Sequence, residues 1–257
     1  MTRADCVALD AEDRLAAMRS QFDLEAIDAQ GVIYLDGNSL GVLPRATAAR
    51  LEEVIHAEWG RDLIRSWNTA GWITMSARIG DKIARLVGAG PGELVVADST
   101  SVNLYKVLSA AVAFVQADAP HRRRIVSERT NFPTDLYIAD SVVREHGFSL
   151  HLVDADQMLE QLDDQVAVVL LTHVNYRTGR MFDMDRVTRA AHDAGALMVW
   201  DLAHSAGALP VNLHGDGTPE GSADFAICLA ISLSGWIKSS VLPASESEGG
   251  LPDDVCR

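Results

Sequence analysis

Residues 166–171, Val-Ala-Val-Val-Leu-Leu, form an unbroken apolar run. A strand with one wet face alternates apolar and polar residues, so an unbroken run belongs to a strand covered on both faces. Around it the chain alternates short apolar runs with helical periodicity. Strands are predicted at 94–97, 124–127, 150–153, 166–171 and 196–200, with another beginning at 225. Helices are predicted at 102–115, 134–145 and 185–194. Strands alternating with helices imply an α/β fold, a mostly parallel sheet with helices on both faces. Ahead of this region the pattern predicts an amphipathic helix over 10–21 and a short apolar strand over 32–35, closed by the turn Asp36-Gly37-Asn38. A helix opened by Pro44 runs to Trp59, and another spans 75–87. After Cys228 the periodicity stops and Ser, Gly and Pro accumulate, which reads as a disordered or aberrant tail over 229–257.

Charge narrows the function classes. The formal net charge is −14, and an acidic surface repels nucleic-acid phosphates and anionic lipid heads. Neither is expected as a partner. Arg122, Arg123 and Arg124 form a tight basic run that reads as a solvated strand entrance. Cys6, Cys228 and Cys256 are far apart, which argues against a disulfide framework or a zinc site and fits a reducing cytoplasm. No window approaches eighteen apolar residues and the N-terminus has no apolar core, so neither a membrane span nor a signal peptide is expected.

Three polar clusters stand where predicted strands end, the place where open α/β sheets bind ligands. Asp98-Ser99-Thr100-Ser101 precedes a helix; its hydroxyls suit either a phosphate cradle or a plain N-cap. Asn131-Phe132-Pro133-Thr134-Asp135 follows a strand, with Pro133 fit for a first helical turn. Phe132 there would pack either on a flat cofactor ring or in a hydrophobic staple. Trp200-Asp201-Leu202-Ala203-His204 ends the strand over 196–200. A carboxylate at that point can hold a protonated ring nitrogen, or cap a helix. Gly37-Asn38-Ser39-Leu40-Gly41 has the spacing of a serine-hydrolase elbow. Against that reading, only one short strand precedes it, and Asp201 and His204 stand too close together to serve a triad.

Taken together the clusters resemble kynureninases. Tyr34-Leu35-Asp36-Gly37-Asn38-Ser39-Leu40-Gly41 is similar to that family's N-terminal signature. Ile64-Arg65-Ser66-Trp67-Asn68-Thr69-Ala70-Gly71-Trp72, Thr130 to Asp135, Leu171 to Tyr176 and Trp200 to Gly207 are similar to further blocks. The resemblance runs from about residue 7 to Cys228. It implies the large-domain fold of pyridoxal-phosphate transferases: an arm over 1–43, a large domain over 44–228 that is incomplete, and no small C-terminal domain. It implies pyridoxal 5′-phosphate as cofactor, with Ser99 and Thr100 at the phosphate and Phe132 stacked on the ring. Pro133, Thr134 and Asp135 lie alongside, Thr172 near the ring hydroxyl, Asp201 at the pyridine nitrogen and His204 beside it. Trp67 falls in a block that lines the substrate pocket.

The implied reaction cleaves L-kynurenine, or 3-hydroxykynurenine, to anthranilate, or 3-hydroxyanthranilate, and L-alanine. It belongs to tryptophan catabolism and NAD biosynthesis, in a homodimer. The sequence departs from the family at one point. Cys228 is followed by Leu229-Ala230-Ile231, where kynureninases carry the Schiff-base lysine, and Lys238 lacks the flanking motif. The resemblance therefore implies a C-terminally truncated chain with little or no activity. A non-catalytic interaction module and a relative such as a cysteine desulfurase are the alternatives.

Overall fold

The structure is a computed structural model that describes residues 1–229. The readings made for 230–257, Lys238 among them, lie outside the described residues. Five parallel strands form one sheet in the order β2-β1-β3-β4-β5: β1 (Arg124–Glu128), β2 (Ser149–Val153), β3 (Val166–Thr172), β4 (Leu197–Asp201) and β5 (Phe225–Ile227). Eight helices accompany it among the described residues. They are α1 (Arg3–Glu12), α2 (Glu25–Ala29), α3 (Ala46–Glu53), α4 (Ser66–Thr69), α5 (Trp72–Val87), α6 (Thr100–Asp118), α7 (Pro133–His146) and α8 (Met184–Asp193).

The sheet is dry on both sides, as the run at 166–171 requires. Every residue of β3 is buried. Successive side chains point to opposite faces of a strand. Val169 and Leu171 join Ile83 and Val87 of α5 and Val187 and Ala191 of α8 in one core. Val168 and Leu170 join Leu104, Leu108 and Val112 of α6 and Val142 of α7 in the other. Trp200 is fully buried, and its indole N–H donates to Thr188 Oγ1 at 3.1 Å, so the ring enters the core without an orphaned donor.

The predicted alternation matches β1 to β5 and α6 to α8 within two or three residues. Three expectations fail, each for a local reason. The helix over 10–21 is instead α1, ending at Glu12, followed by a 3-10 turn at Ala16–Gln21. Asp13 Oδ1 accepts from the Leu15 N–H at 2.8 Å, a local bond that competes with helix continuation. The helix starts earlier because Thr2 and Asp5 form a reciprocal capping box. Residues 32–35 form no ladder, and Ile33 and Leu35 are 84% and 89% exposed. Residues 94–97 also stay outside the sheet. The Val96 N–H donates to Ser76 O at 3.2 Å, so the segment is clamped to α5 and not to a strand.

That clamp brings the Leu94 carbonyl against Gly80 of α5, where any Cβ would collide with the carbonyl oxygen. Backbone cannot rotate away as a side chain can. Gly80→Ala is therefore expected to destabilise the chain by about 1–3 kcal/mol despite alanine's better helix propensity. Urea unfolding checks this, and an unchanged or higher midpoint would contradict the close approach.

Candidate functional site

The strand order reverses at β1, with β2 on one side and β3, β4 and β5 on the other. Connections leave such a point on opposite faces and open a crevice beyond the carboxyl ends of the strands. A cavity of about 330 Å³ lies there, lined by Asn38, Ser39, the Ser99-Thr100-Ser101 run, Phe132, Thr134, Asp135, Asp201, Ala203, His204 and Leu229. A larger open groove of about 810 Å³ lies under the N-terminal arm, but its wall is mostly apolar, with exposed Asp and Arg side chains, and holds no buried polar group. The chemistry belongs to the smaller cavity.

Each wall follows from local sequence. Ser99 caps α6, its hydroxyl accepting from the Val102 N–H at 3.4 Å. The first N–H groups of a helix have no intrahelical partner, and the dipole adds positive potential there. The Thr100 hydroxyl oxygen beside them is shielded from water and has no partner. Asp98, just before the cap, adopts a left-handed φ of 41° and pairs with Lys106. On the opposite wall Pro133 opens α7, which places Asp135 in the first turn. The Phe132 ring meets Tyr176 edge-on at 5.1 Å and lies 6.3 Å from His204.

The floor is a buried hydrogen-bond chain. Parallel register pairs Thr172 with Asp201 at the ends of β3 and β4. Asn131 Oδ1 accepts from the Phe132 N–H at 2.7 Å and from the Thr172 hydroxyl, while its amide donates to Ser127 Oγ at 3.1 Å. The Thr172 hydroxyl also lies 3.2 Å from Asp201 Oδ2, and Asp201 Oδ1 accepts from the Ala203 N–H at 2.8 Å. Asp201 is 2% exposed. Burial pushes its carboxyl upward, opposed by the Ala203 N–H, by Asp135 and by the charge of His204. Asp135 is pushed up to about 8, first by burial and then by the charge of Asp201. Cys228 is also raised, to about 11, by burial and by Asp201, so the thiol is neutral.

Of the residues singled out in the sequence, Ser99, Thr100, Phe132, Thr134, Asp135, Asp201 and His204 share this cavity. Thr172 and Pro133 do not line it: Thr172 lies buried behind Asp201, and Pro133 begins α7. Trp67, on α4, is half-exposed and outside the wall. Ser39 reaches the cavity, but its hydroxyl donates to Asp36 Oδ1 at 2.8 Å within its own turn, which leaves no nucleophile–histidine pair. The sequence reading missed Asn131 as the hub. An Asn one residue before a helix-opening Phe-Pro is the signal, because its amide can cap the turn.

The aminotransferase class-V family model matches residues 33–218, which include every cavity-lining residue but Leu229. The chain belongs to the aminotransferase class-V family. Kynureninase from Pseudomonas fluorescens is 55% identical over 229 residues, covering 88% of this chain and 53% of that protein. Kynureninase from Burkholderia pseudomallei is 55% identical over 217 residues, covering 83% and 51%. The chain thus spans about half the length of the curated relatives it matches. Among solved structures, a NifS-like protein superposes with a TM-score of 0.62 at 16% identity, covering 78% of this chain and 55% of its own. The cystine C–S lyase C-DES, solved with cysteine persulfide, gives 0.60 at 15%, covering 76% and 52%. At such identities these neighbours share the fold alone.

The hub's role has a measurable consequence. Asn131→Ala strips the acceptor from the Phe132 N–H and leaves the Thr172 hydroxyl only Asp201 to donate to. The expected cost is about 1–3 kcal/mol in urea unfolding, with faster hydrogen exchange at the Phe132 amide. Unchanged protection of that amide would show that Asn131 does not organise the loop.

Proposed function

We propose that this chain carries the part of a kynureninase-type active site that holds pyridoxal 5′-phosphate. One observation carries the reading: Asp201, a carboxylate with almost no contact with water, lines the cavity at the carboxyl end of β4. Such a group is costly unless a cationic partner arrives. The rest of the wall fits the same cofactor. The unpartnered Thr100 hydroxyl, the Ser99 cap and the free N–H groups of α6 suit a phosphate, and among the described residues no lysine or arginine lines the wall to do that work instead. Phe132 and His204 offer faces for a flat ring.

When bound, the cofactor supplies an electron sink for bonds at the substrate's Cα. The chain's own residues bind and orient it. In this reading Ser99 and Thr100 grip the phosphate, and Phe132 stacks on the ring with Pro133, Thr134 and Asp135 alongside. Asp201 holds the ring nitrogen, Thr172 steadies Asp201 from behind, and His204 lies beside it. The 55% identity to kynureninases supports L-kynurenine or 3-hydroxykynurenine as the small-molecule substrate, hydrolysed to the anthranilate and L-alanine. A cytoplasmic homodimer in tryptophan catabolism and NAD biosynthesis, with residues 1–43 as an arm and 44–228 as the cofactor domain, completes the proposal.

A second reading, a holding module without turnover, is favoured by the lysines. Lys82 and Lys106 do not line the cavity, and Lys106 is paired with Asp98. The two readings share cofactor binding and differ in catalysis. Titrating the chain with pyridoxal 5′-phosphate is expected to give a saturable spectral change, competed by inorganic phosphate and weakened at least about tenfold by Asp201→Ala. L-Kynurenine should perturb the bound spectrum where L-cysteine does not. The expected result is binding without anthranilate fluorescence, and anthranilate release would decide for the catalytic reading. No saturable binding would end both.

A further inference from the structure

The buried chain at the cavity floor has more acceptors than protons. Asn131 Oδ1, Thr172 Oγ1, Asp201 Oδ2 and Asp135 Oδ2 are oxygens, and the one proton fixed among them is that of the Thr172 hydroxyl. Asn131 cannot turn its NH₂ toward Thr172, because Oδ1 accepts from the Phe132 N–H and Nδ2 donates to Ser127. With both carboxylates ionised, Thr172 can donate to Asn131 or to Asp201 but not to both. Asp135 Oδ2, shielded from water, is then left with no partner at all. Two ionised carboxylates at 4% and 2% exposure would also repel each other. The floor therefore needs at least one additional proton.

Its place follows from the donors already present. Asp201 receives the Ala203 N–H, lies within reach of the Thr172 hydroxyl and feels the charge of His204. Asp135 is buried on the same cavity wall as Asp201, and its Oδ2 has no donor. The surroundings favour the anion at Asp201 and the acid at Asp135. We propose that Asp135 is a neutral carboxylic acid that donates a hydrogen bond to Asp201, and so keeps Asp201 a single, oriented negative charge for the cationic ring nitrogen of its ligand. Asp135 is thus a positioning residue, acting on the ring through Asp201. The ligand half of this statement rests on the cofactor reading above; the protonated pair does not.

The pH sense is fixed. Among the described residues His204 is the only other titratable group on the wall, and Cys228 beside Asp201 is a neutral thiol. Asp135 is raised from the ordinary carboxyl range to about 8. Between those limits the folded chain holds a proton that the unfolded chain has lost, so the stability contributed by Asp135 is complete at low pH and is lost as pH rises through about 8.

Infrared difference spectroscopy on the full cofactor-free chain tests the pair. The wild type is expected to show the C=O stretch of a buried carboxylic acid at neutral pH, titrating near 8 and absent in Asp135→Asn. Absence of the band at neutral pH, or its survival in Asp135→Asn, overturns the assignment. Should that variant fail to fold, the pH titration of the wild-type band decides alone. In denaturation, the stability of the wild type relative to Asp135→Asn should fall as pH rises from about 4 to 8; a constant difference counts against a protonated Asp135. Pyridoxal 5′-phosphate binding supplies the other arm. Asp135→Ala, which cannot donate, should weaken binding roughly ten- to hundred-fold, and Asp135→Asn, which can, should recover part of the loss. The acid band without any binding would sink the cofactor reading and leave the pair standing. Binding without the band would do the reverse.

Discussion

Burying the Asp201 carboxyl at the end of β4 is the constraint around which the site is arranged. A carboxylate with almost no contact with water must be given donors, a proton or a cation. The fold meets this in layers. Backbone turns upward after β4 so that the Ala203 N–H meets Oδ1. Parallel register with β3 sets the Thr172 hydroxyl beside Oδ2. Asn131 pins that hydroxyl and, through the Phe132 N–H, the loop that carries the aromatic wall. Asn175 holds the same loop from the other side, donating to Thr130 Oγ1 at 3.0 Å and to the buried Glu128 at 3.2 Å. Three residues that line the cavity, Thr100, Asp135 and His204, each keep a buried polar atom without a partner.

None of this polar network would hold its shape on a loose scaffold. The dry, two-faced sheet supplies the stiffness: close-packed interiors keep strand ends in fixed register, so side chains projecting from neighbouring strands keep their spacing. The reversal of strand order at β1 then gives the crevice a reason to be where it is, since helices α7 and α8 depart to opposite faces on either side of it. Placing α6 across the opening brings a helix N-terminus to the cavity, with no lysine or arginine on its wall among the described residues.

The sheet was legible because its strands are buried on both faces and therefore read as continuous apolar runs. Residues 94–97 and 32–35 carry similar apolar runs, but an extended segment becomes a strand only by pairing, and pairing is a non-local fact. The α1 boundary failed for the opposite reason, a local one: the Asp13 side chain ends the helix. At the site, the residues at strand ends were legible from position and type, since Asp201, Thr172 and the Ser99–Thr100 cap follow apolar strands or precede helices. The hub role of Asn131 was not, because it depends on two oxygens from separate strands arriving at one amide. Asp135 entered the site through the resemblance alone; its burial on the same wall as Asp201 depends on α7 and β4 meeting, which no local pattern shows.

The central claim is that Asp201 exists to hold a protonated ring nitrogen. Nitrogen-15 NMR of pyridoxal 5′-phosphate labelled at the ring nitrogen and bound to the chain tests it most directly. The account predicts a pyridinium resonance that persists to pH values well above the titration of the free cofactor and shifts toward the unprotonated position in Asp201→Asn. A bound ring that titrates as it does in water, unaffected by that substitution, would contradict it.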